Sequence, residues 1–347
     1  MNEKQNDAKT ESGLQPSRRD FLTRAGLLAG GMALLSVSGL RPQPSAEAAV
    51  DARSFAAGSS ALELDGQFID FLKATEGGFP RADVVTMPIG PGQIPKKSLG
   101  QLRYQDIAIQ CDPVMPKPLF DWVAAALTMN YIRKNGAIIT ADFNRAEQSR
   151  LQFNNALITE FGIPACDGTS KDPGYLTIKF SPEVTTPLAG KGSVLPVVGT
   201  KQKAWIPANF RLTISGLDCS RIAKIEALTI KQTIAQDQIG QARMAQKEPA
   251  KLEFPNLVIS LPEASAGTFY AWFQSMVIKG ESGENNEKFG MLEFLDPTLK
   301  GTLLTVYFNH LGIFGFTPER SEANADGIRR IKVEMYCEQI TLTPVKQ

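Results

Sequence analysis

The chemistry open to this chain is limited first by its single histidine. His310 lies within the strand-like sequence LLTVYFNHLGIF, with polar and apolar residues on either side. A Ser-His-Asp arrangement would depend on this residue alone, and no second histidine exists for a three-ligand metal site. We therefore predict a surface or hydrogen-bonded histidine here, and a protein that is not an enzyme.

The four cysteines also argue against a metal or redox site. Cys111, Cys166, Cys219 and Cys337 are widely separated and show none of the paired spacings that zinc and iron–sulfur sites use. Export would permit a disulfide, whereas folding in a reducing compartment favours buried free thiols, which we predict. No cofactor and no metal is expected.

One glycine-containing segment superficially resembles a phosphate-binding loop. The sequence GPGQIPKKS, from Gly90 to Ser98, lacks the glycine that normally precedes the Lys-Ser pair and lets the backbone wrap a phosphate. We predict instead a long turn between two strands, covering residues 88–100.

The N-terminal residues 1–48 have the features of a twin-arginine export signal. A basic pair with apolar neighbours precedes a glycine-diluted apolar run, which is short for a membrane span of roughly 20 residues. A small-x-small cleavage motif follows that run. The signal residues are Arg18, Arg19, Phe21 and Leu22, and the cleavage residues are Ala46 and Ala48.

Removing this segment leaves a chain with no net charge. The full sequence has 37 basic and 36 acidic residues, and residues 1–48 contain six and five of them. The remaining 31 of each sign give no basic surplus for nucleic-acid binding. Near-zero net charge also permits self-association, because little repulsion opposes it.

The remainder of the chain contains one pattern twice, 150 residues apart. LRYQDIAIQ, from Leu102, is followed by PLFDWVAAALTM, and LEFPNLVIS, from Leu252, is followed by GTFYAWFQSMVI. Tyr104 thus corresponds to Phe254, and Trp122 to Trp272. In both copies apolar residues at i, i+3, i+4 and i+7 predict one helix, and an aromatic stripe of this kind is typical of a core face. Ser265 is a candidate cap for the second helix, and Gly280 a candidate end.

After each predicted helix the apolar period changes to two, as in half-buried antiparallel strands. The opening strands of the copies are matched as FIDFLKATEGG, from Phe68, with FRLTISGLDCS, from Phe210. Carboxylates near the first helix have no acidic counterparts in the second copy and are predicted to be solvated: Asp106, Asp112 and Asp121. The fold class is therefore mainly β, with two tandem domains that each carry one α-helix, at residues 49–187 and 210–347. Residues 188–209, rich in Gly and Pro, form the predicted linker.

The order of these motifs resembles the tail tube protein of contractile-tailed phages. The residues that carry the resemblance are Tyr104, Ile107, Ile109, Phe120, Trp122, Phe153, Asn155, Ala156 and Glu183, with Phe254, Leu257, Ile259, Tyr270 and Trp272 in the second copy. There YFNHLG, with Phe308, replaces the Phe-x-Asn-Ala motif imperfectly. Two features depart from the family: typical members hold one domain, and they lack an export signal.

The resemblance implies β-sandwich or barrel domains that join into a ring and stack as a tube, without catalysis. Tyr104, Trp122, Phe153, Phe254, Trp272 and Phe308 would then be structural core residues. The implied partners are copies of the same chain, in a ring of three or a multiple, the twin-arginine translocase during export, and other components of phage-like tails. The implied location is periplasmic or extracellular, the alternative being a virion or a cytoplasmic tail-like particle. Two other functions fit the same sequence: a periplasmic β-sandwich that binds a ligand, and a periplasmic hydrolase that uses His310.

Overall fold

A computed structural model describes residues 58–88, 90, 92, 94–194, 204–237, 246–320 and 328–344. The predicted export motif and cleavage site lie outside these residues. Within them, no helix has the length and apolar character needed to cross a membrane. The architecture is mainly β, as the alternating pattern predicts.

The first copy contains eleven strands and one helix among the described residues. In chain order these are β1 (Ser59–Leu64), β2 (Gln67–Leu72), β3 (Ala74–Gly77), β4 (Pro80–Met87), β5 (Lys96–Tyr104), β6 (Ile107–Cys111), α1 (Lys117–Leu127), β7 (Lys134–Ala141), β8 (Glu147–Ile163), β9 (Cys166–Asp167), β10 (Leu176–Ser181) and β11 (Val184–Ala189). The last strand extends two residues beyond the predicted domain boundary at Pro187.

The second copy repeats this order with fewer strands. Its elements are β12 (Phe210–Ile214), β13 (Lys224–Ile225), β14 (Leu228–Asp237), β15 (Gln246–Glu253), β16 (Leu257–Pro262), α2 (Gly267–Phe273), β17 (Lys288–Leu295), β18 (Thr302–Pro318) and β19 (Arg330–Pro344). The single strand β19 takes the place of both β10 and β11, because it pairs along β18 as they pair along β8.

Each copy builds its own antiparallel sheet in the same strand order. The first runs β2-β1-β7-β8-β10-β6-β3, and the second runs β12-β17-β18-β19-β16-β13, with β9 of the first copy added at its end. β12 is therefore the counterpart of β1. The proposed match of Phe68 with Phe210 is wrong, since Leu62 and Leu212 occupy the equivalent positions beside β7 and β17. The match that starts at Phe68 uses β2, which has no equivalent in the second sheet.

The long turn predicted between two strands at residues 88–100 is present but shorter than predicted. β4 and β5 pair with each other as a separate two-stranded sheet, and β5 begins at Lys96, so only residues 88–95 connect the strands. The exposed apolar residues of β5, Leu99 and Leu102, are three residues apart, so the strand lacks the alternation that marks a half-buried strand. The equivalent hairpin in the second copy is β14–β15.

The two helices use their tryptophans in the same way. The indole N–H of Trp122 donates to the carbonyl oxygen of Ile132, and that of Trp272 donates to the carbonyl oxygen of Asn286, both at 2.8 Å. α2 continues into a π-helical turn, Gln274–Ile278, after which Gly280 has a φ of 72°. Ser265 does not cap α2: it lies in a short 3-10 turn, and Ala266 precedes the helix without a side-chain bond.

One continuous hydrophobic core includes residues of both copies. In the first copy the Phe180 ring lies 5.3 Å from Trp122 and 5.0 Å from Phe153, measured between ring centroids. Of the six residues named as core, the structure buries Trp122, Phe153, Trp272 and Phe308. Tyr104 and Phe254 are half-buried, because each lies at the end of a hairpin strand rather than under the helix.

A β-bulge explains why the Phe-x-Asn-Ala motif is only partly repeated. Asn155 in β8 and His310 in β18 are equivalent, and both have a left-handed backbone, with φ of 51° and 55°. Asn and His are enriched among the non-glycine residues that adopt this conformation. Both copies thus share the bulged backbone conformation at this position, while the side chain there is an amide in the first copy and an imidazole in the second.

The repeated tryptophans yield the first prediction, which concerns stability. Trp122→Ala or Trp272→Ala removes a buried indole and leaves a carbonyl without its donor, so each should lower the free energy of unfolding by about 3–5 kcal/mol. Denaturant unfolding of the described domain followed by circular dichroism measures this loss. Phe143→Ala is the control, because Phe143 is an exposed loop residue and its loss should cost within about 0.5 kcal/mol. A tryptophan variant as stable as this control would contradict the structure.

Candidate self-assembly interface

The two copies meet where a hairpin of the second copy extends the sheet of the first. One edge of β8 pairs first with β7, up to Ala156, and then with β14, from Glu160 to Ile163. In this junction Thr229 lies opposite Gly162, and Ile230 lies opposite Phe161. The hairpin β14–β15 therefore supplies a pairing strand for the last four residues of that edge, which β7 does not reach.

Apolar residues from both copies are buried along this junction. Ile230 and Phe161 are each 1% exposed, and Leu228 and Ile163 are similarly buried. Burial of such side chains contributes roughly 1.5–3 kcal/mol each relative to exposure. The hairpin is thus held by backbone pairing and by apolar packing together.

A buried lysine lies beside this apolar contact. Lys247, in β15, is 5% exposed, and its ammonium group donates to the hydroxyl of Ser181 and to the carbonyl oxygen of Pro182, both at 2.8 Å. Burial lowers the pKa of Lys247, while the carboxylates of Asp106 and Glu183 act in the opposite direction. The ammonium therefore has two hydrogen-bond acceptors, both supplied by the first copy.

Asp106 belongs to this network and is not the solvated carboxylate that the sequence suggests. Its carboxylate accepts a hydrogen bond from the Ser181 hydroxyl at 2.5 Å, and that hydroxyl accepts from Lys247. The second copy has Asn256 at the equivalent position. The carboxylate that accepts a hydrogen bond from Ser181 in the first copy is therefore replaced by an amide in the second.

Arg133 completes the polar contact between the copies. Its guanidinium donates to the backbone carbonyl of Lys247 and to the carboxylate of Glu248, both at 2.7 Å. Glu183 lies 3.9 Å from the same guanidinium and accepts a bond from the side chain of Asn155 at 2.8 Å. We call these first-copy residues, Arg133, Asn155, Ser181 and Glu183, the first socket.

The equivalent edge in the second copy has no such hairpin. β18 pairs with β17 only up to Leu311, and in the part of the chain that the structure describes no strand lies on that edge beyond it. Residues Gly315–Pro318 of β18 therefore have no strand on this edge, whereas the equivalent residues Glu160–Ile163 of β8 pair with β14. Unpaired strand edges of this kind are templates for association with another chain.

The first hairpin, β4–β5, is unused in the same way. It pairs with no other strand in the described residues, and its large apolar side chains are exposed on both strands. Phe79 is 57% exposed and Val84 is 62% exposed. Val85, Met87, Leu99 and Leu102 are also exposed. A two-stranded hairpin in water is marginal without a surface to pack on.

The burial of equivalent residues differs as a missing contact would require. Phe161 is buried beneath the second hairpin, whereas its counterpart Phe316 is half-buried and Phe314, two residues earlier, is 44% exposed. Lys247 is buried, whereas its counterpart Lys97 is exposed. The described residues thus contain one such junction, and also a second hairpin and a second strand edge that pair with nothing else there.

The remaining candidate residues show no catalytic arrangement among the described residues. The exposed imidazole of His310 lies 2.8 Å from Glu287 through Nδ1, and this hydrogen bond raises the pKa of His310. All four cysteines are free thiols; burial raises the pKa of Cys111 and of Cys166 to about 12. These thiols are therefore poor nucleophiles at neutral pH.

The junction residues escaped the pattern analysis, apart from Glu183 and Asn155, which the family resemblance included. Arg133 and Lys247 lie in segments of mixed polarity, and nothing near Lys247 in the sequence indicates that it is buried. A signal was present in the repeat itself. Extending the 150-residue offset to Lys97 and Lys247 places two lysines at one position of two equivalent hairpins.

No protein-family model matches the chain, and no curated protein does. Among solved structures, the chain is similar to one in the baseplate of the anti-feeding prophage, at 12% identity and a TM-score of 0.32, covering 44% of this chain and 100% of that chain. A chain in the tube-terminating cap of that prophage is 15% identical, with a TM-score of 0.33, and the match covers 44% of this chain and 97% of that chain. Hcp1 from Flavobacterium johnsoniae is 12% identical, with a TM-score of 0.24, and the match covers 39% of this chain and 94% of that chain.

The two equivalent lysines provide a matched test of the junction. Lys247→Ala leaves buried acceptors unpaired and should lower the free energy of unfolding by about 1–3 kcal/mol. Lys97→Ala alters an exposed position and should change it by less than about 0.5 kcal/mol. Denaturant unfolding at a concentration where the chain is monomeric measures both. Equal effects of the two substitutions would show that the junction does not contribute to stability.

Proposed function

We propose that this protein is a non-catalytic structural subunit, exported in the folded state, that assembles head to tail with copies of itself into a closed ring. The observation that carries the proposal is the completed junction beside its two unused halves. The hairpin β4–β5 of one chain would extend β18 of the next, as β14–β15 extends β8 within the chain.

The geometry of such a contact favours closure. Hairpin and edge lie on different surfaces, so the contact is heterologous and repeats until the rotation returns to its start. Within the chain, one junction already relates one copy to the next. If the intermolecular junction has the same geometry, each chain supplies two successive positions of the ring. By the family resemblance, a ring of six single domains corresponds to three tandem chains.

Export in the folded state would suit such a subunit. A chain with unpaired edges is most prone to aggregate while it is partly folded. The twin-arginine pathway transports proteins that have already folded, so the edges would meet other copies only as formed surfaces. The proposed location is therefore outside the cytoplasm, either periplasmic or extracellular. Stacking of rings into a tube, with other tail-like components, is the extension that the resemblance supplies.

Assembly is the first outcome to measure. Residues 49–347 should form particles of three chains, or a multiple of three, by native mass spectrometry, and rings by negative-stain microscopy. A ring places each edge strand against a neighbour, so the assembly should become more populated as the protein concentration rises. A chain that stays monomeric at high concentration would instead favour a ligand-binding module and contradict the proposal.

A disulfide cross-link tests the register of the same contact. The pair Thr229–Gly162 within the chain corresponds to Phe79 and Thr317 between chains. Residues that lie opposite each other in an antiparallel pair have Cα atoms roughly 4.5–5.5 Å apart, within the range that a disulfide spans. Phe79→Cys combined with Thr317→Cys should therefore link chains under mild oxidation. Thr86→Cys combined with Thr317→Cys is the control and should not, because Thr86 lies seven residues beyond Phe79, near the far end of β4.

Export is tested separately. Replacing Arg18 and Arg19 by lysine should leave full-length precursor in the cytoplasm, whereas the unaltered protein should be recovered outside it, beginning near Ala49. Arg24→Lys is the matched control, because Arg24 lies outside the pair and should not affect processing. Cell fractionation with N-terminal sequencing measures both. Equal processing in a strain without the twin-arginine translocase would rule this export route out.

A further inference from the structure

The unused edge of the second copy has its own socket, and its charge differs from that of the first. Glu287 occupies the position of Arg133, His310 that of Asn155, Tyr336 that of Ser181, and Glu338 that of Glu183. We call these four residues the second socket. The second socket therefore has a negative charge, from Glu287, where the first socket has the positive charge of Arg133. This is the point at which the hairpin would dock.

The side chains of the second socket are already organised. Glu287 accepts hydrogen bonds from the Tyr336 hydroxyl and from the imidazole of His310, each at 2.8 Å. One imidazole nitrogen of His310 and one carboxylate oxygen from each of Glu287 and Glu338 lie within 4.8 Å of one another. Glu338 itself is exposed. Two carboxylates thus converge at one point on the surface, with one of them open to solvent.

The unused hairpin is more positively charged than the internal one, whereas the second socket is more negatively charged than the first. Positions 246–248 of the internal hairpin are Gln, Lys and Glu, whereas the equivalent positions 96–98 are Lys, Lys and Ser. The equivalence is set by the pairing, since Lys247 lies opposite Gln236 and Lys97 lies opposite Thr86. The unused hairpin therefore carries two positive charges here, where the internal one carries a balanced pair.

We propose that Lys97 of one chain docks between Glu287 and Glu338 of the next, and that this charge pairing selects the intermolecular junction. This inference rests on the proposed ring and identifies the residues that direct it. Lys97 takes the place that Lys247 has in the first socket, and Lys96 adds a second positive charge at its rim.

The same charges oppose the incorrect pairings. The unused hairpin in a first socket would bring Lys96 and Lys97 towards Arg133. If the internal hairpin docked in a second socket, Glu248 would meet Glu287. In the internal junction Glu248 instead accepts a hydrogen bond from Arg133. Like charges across an interface suppress incorrect partners more effectively than matched charges raise affinity. The two hairpins are thus distinguishable although their backbones are equivalent.

A charge exchange tests the pairing directly. Lys97→Glu should raise the concentration at which half of the chains are assembled by about tenfold or more, and Glu338→Lys should do the same. Combining the two substitutions in one chain should restore assembly close to that of the unaltered protein. Light scattering across a dilution series, with native mass spectrometry, measures the effect. Lys97 and Glu338 are exposed within a single chain, so each variant should unfold at the same denaturant concentration as the unaltered chain.

Lys300→Glu provides the matched control, because it makes the same charge change at an exposed turn and should leave assembly unaltered. Single variants that assemble normally, beside an unaltered protein that also assembles, would overturn the pairing and leave the ring intact. Single variants that fail, with no recovery in the double variant, would overturn the assignment of Glu338 to Lys97. An unaltered protein that remains monomeric would overturn the proposed function itself.

Discussion

The backbone of one long strand imposes the constraint on which the rest of the fold depends. β8 is too long for β7 to cover, so the edge beyond Ala156 needs another strand. A buried backbone group without a partner costs free energy comparable to a lost hydrogen bond. The second copy meets this need with β14, and the apolar residues beside that strand are buried as a result. Because the second copy is built in the same way, the same need recurs at β18.

The two copies of the repeat allow the effect of the hairpin contact to be judged within one chain. Equivalent positions can be compared within one chain, in the presence and in the absence of the contact. Phe161 in β8 and Phe316 in β18 occupy equivalent positions, and Phe161, whose strand pairs with β14 at that point, is the more buried of the two. Lys247 is likewise more buried than Lys97. The exposed apolar residues of β4–β5 thus have a structural explanation as one half of a contact whose other half is visible elsewhere in the fold.

The sequence predicts local structure well and long-range pairing poorly. The i, i+3, i+4 pattern around Trp122 and Trp272 places both helices, because side-chain periodicity is a local property. The 150-residue offset holds from Leu62 as far as α1, but the strands that follow are 154 or 155 residues apart, so later counterparts such as Asn155 and His310 emerge only from strand register. The match of Phe68 with Phe210 departs from this offset, which places Phe210 at the position of Ser60. Asp106 looks like a surface carboxylate because the lysine that it faces lies more than a hundred residues away.

Covalent linkage of the two copies has a consequence for assembly. Joining two modules replaces one association step by an intramolecular one at high effective concentration. In the proposed ring, every second junction would therefore form during folding and only the others would depend on protein concentration. The two kinds of junction are then free to diverge. The internal one can bury a lysine beside Ser181, where it contributes to the stability of the chain, while the intermolecular one can remain more exposed and rely on charge. Lys96 and Lys97, which the proposal pairs with Glu287 and Glu338, would fit that second requirement, because exposed charges accelerate and direct encounters between chains without making each encounter irreversible.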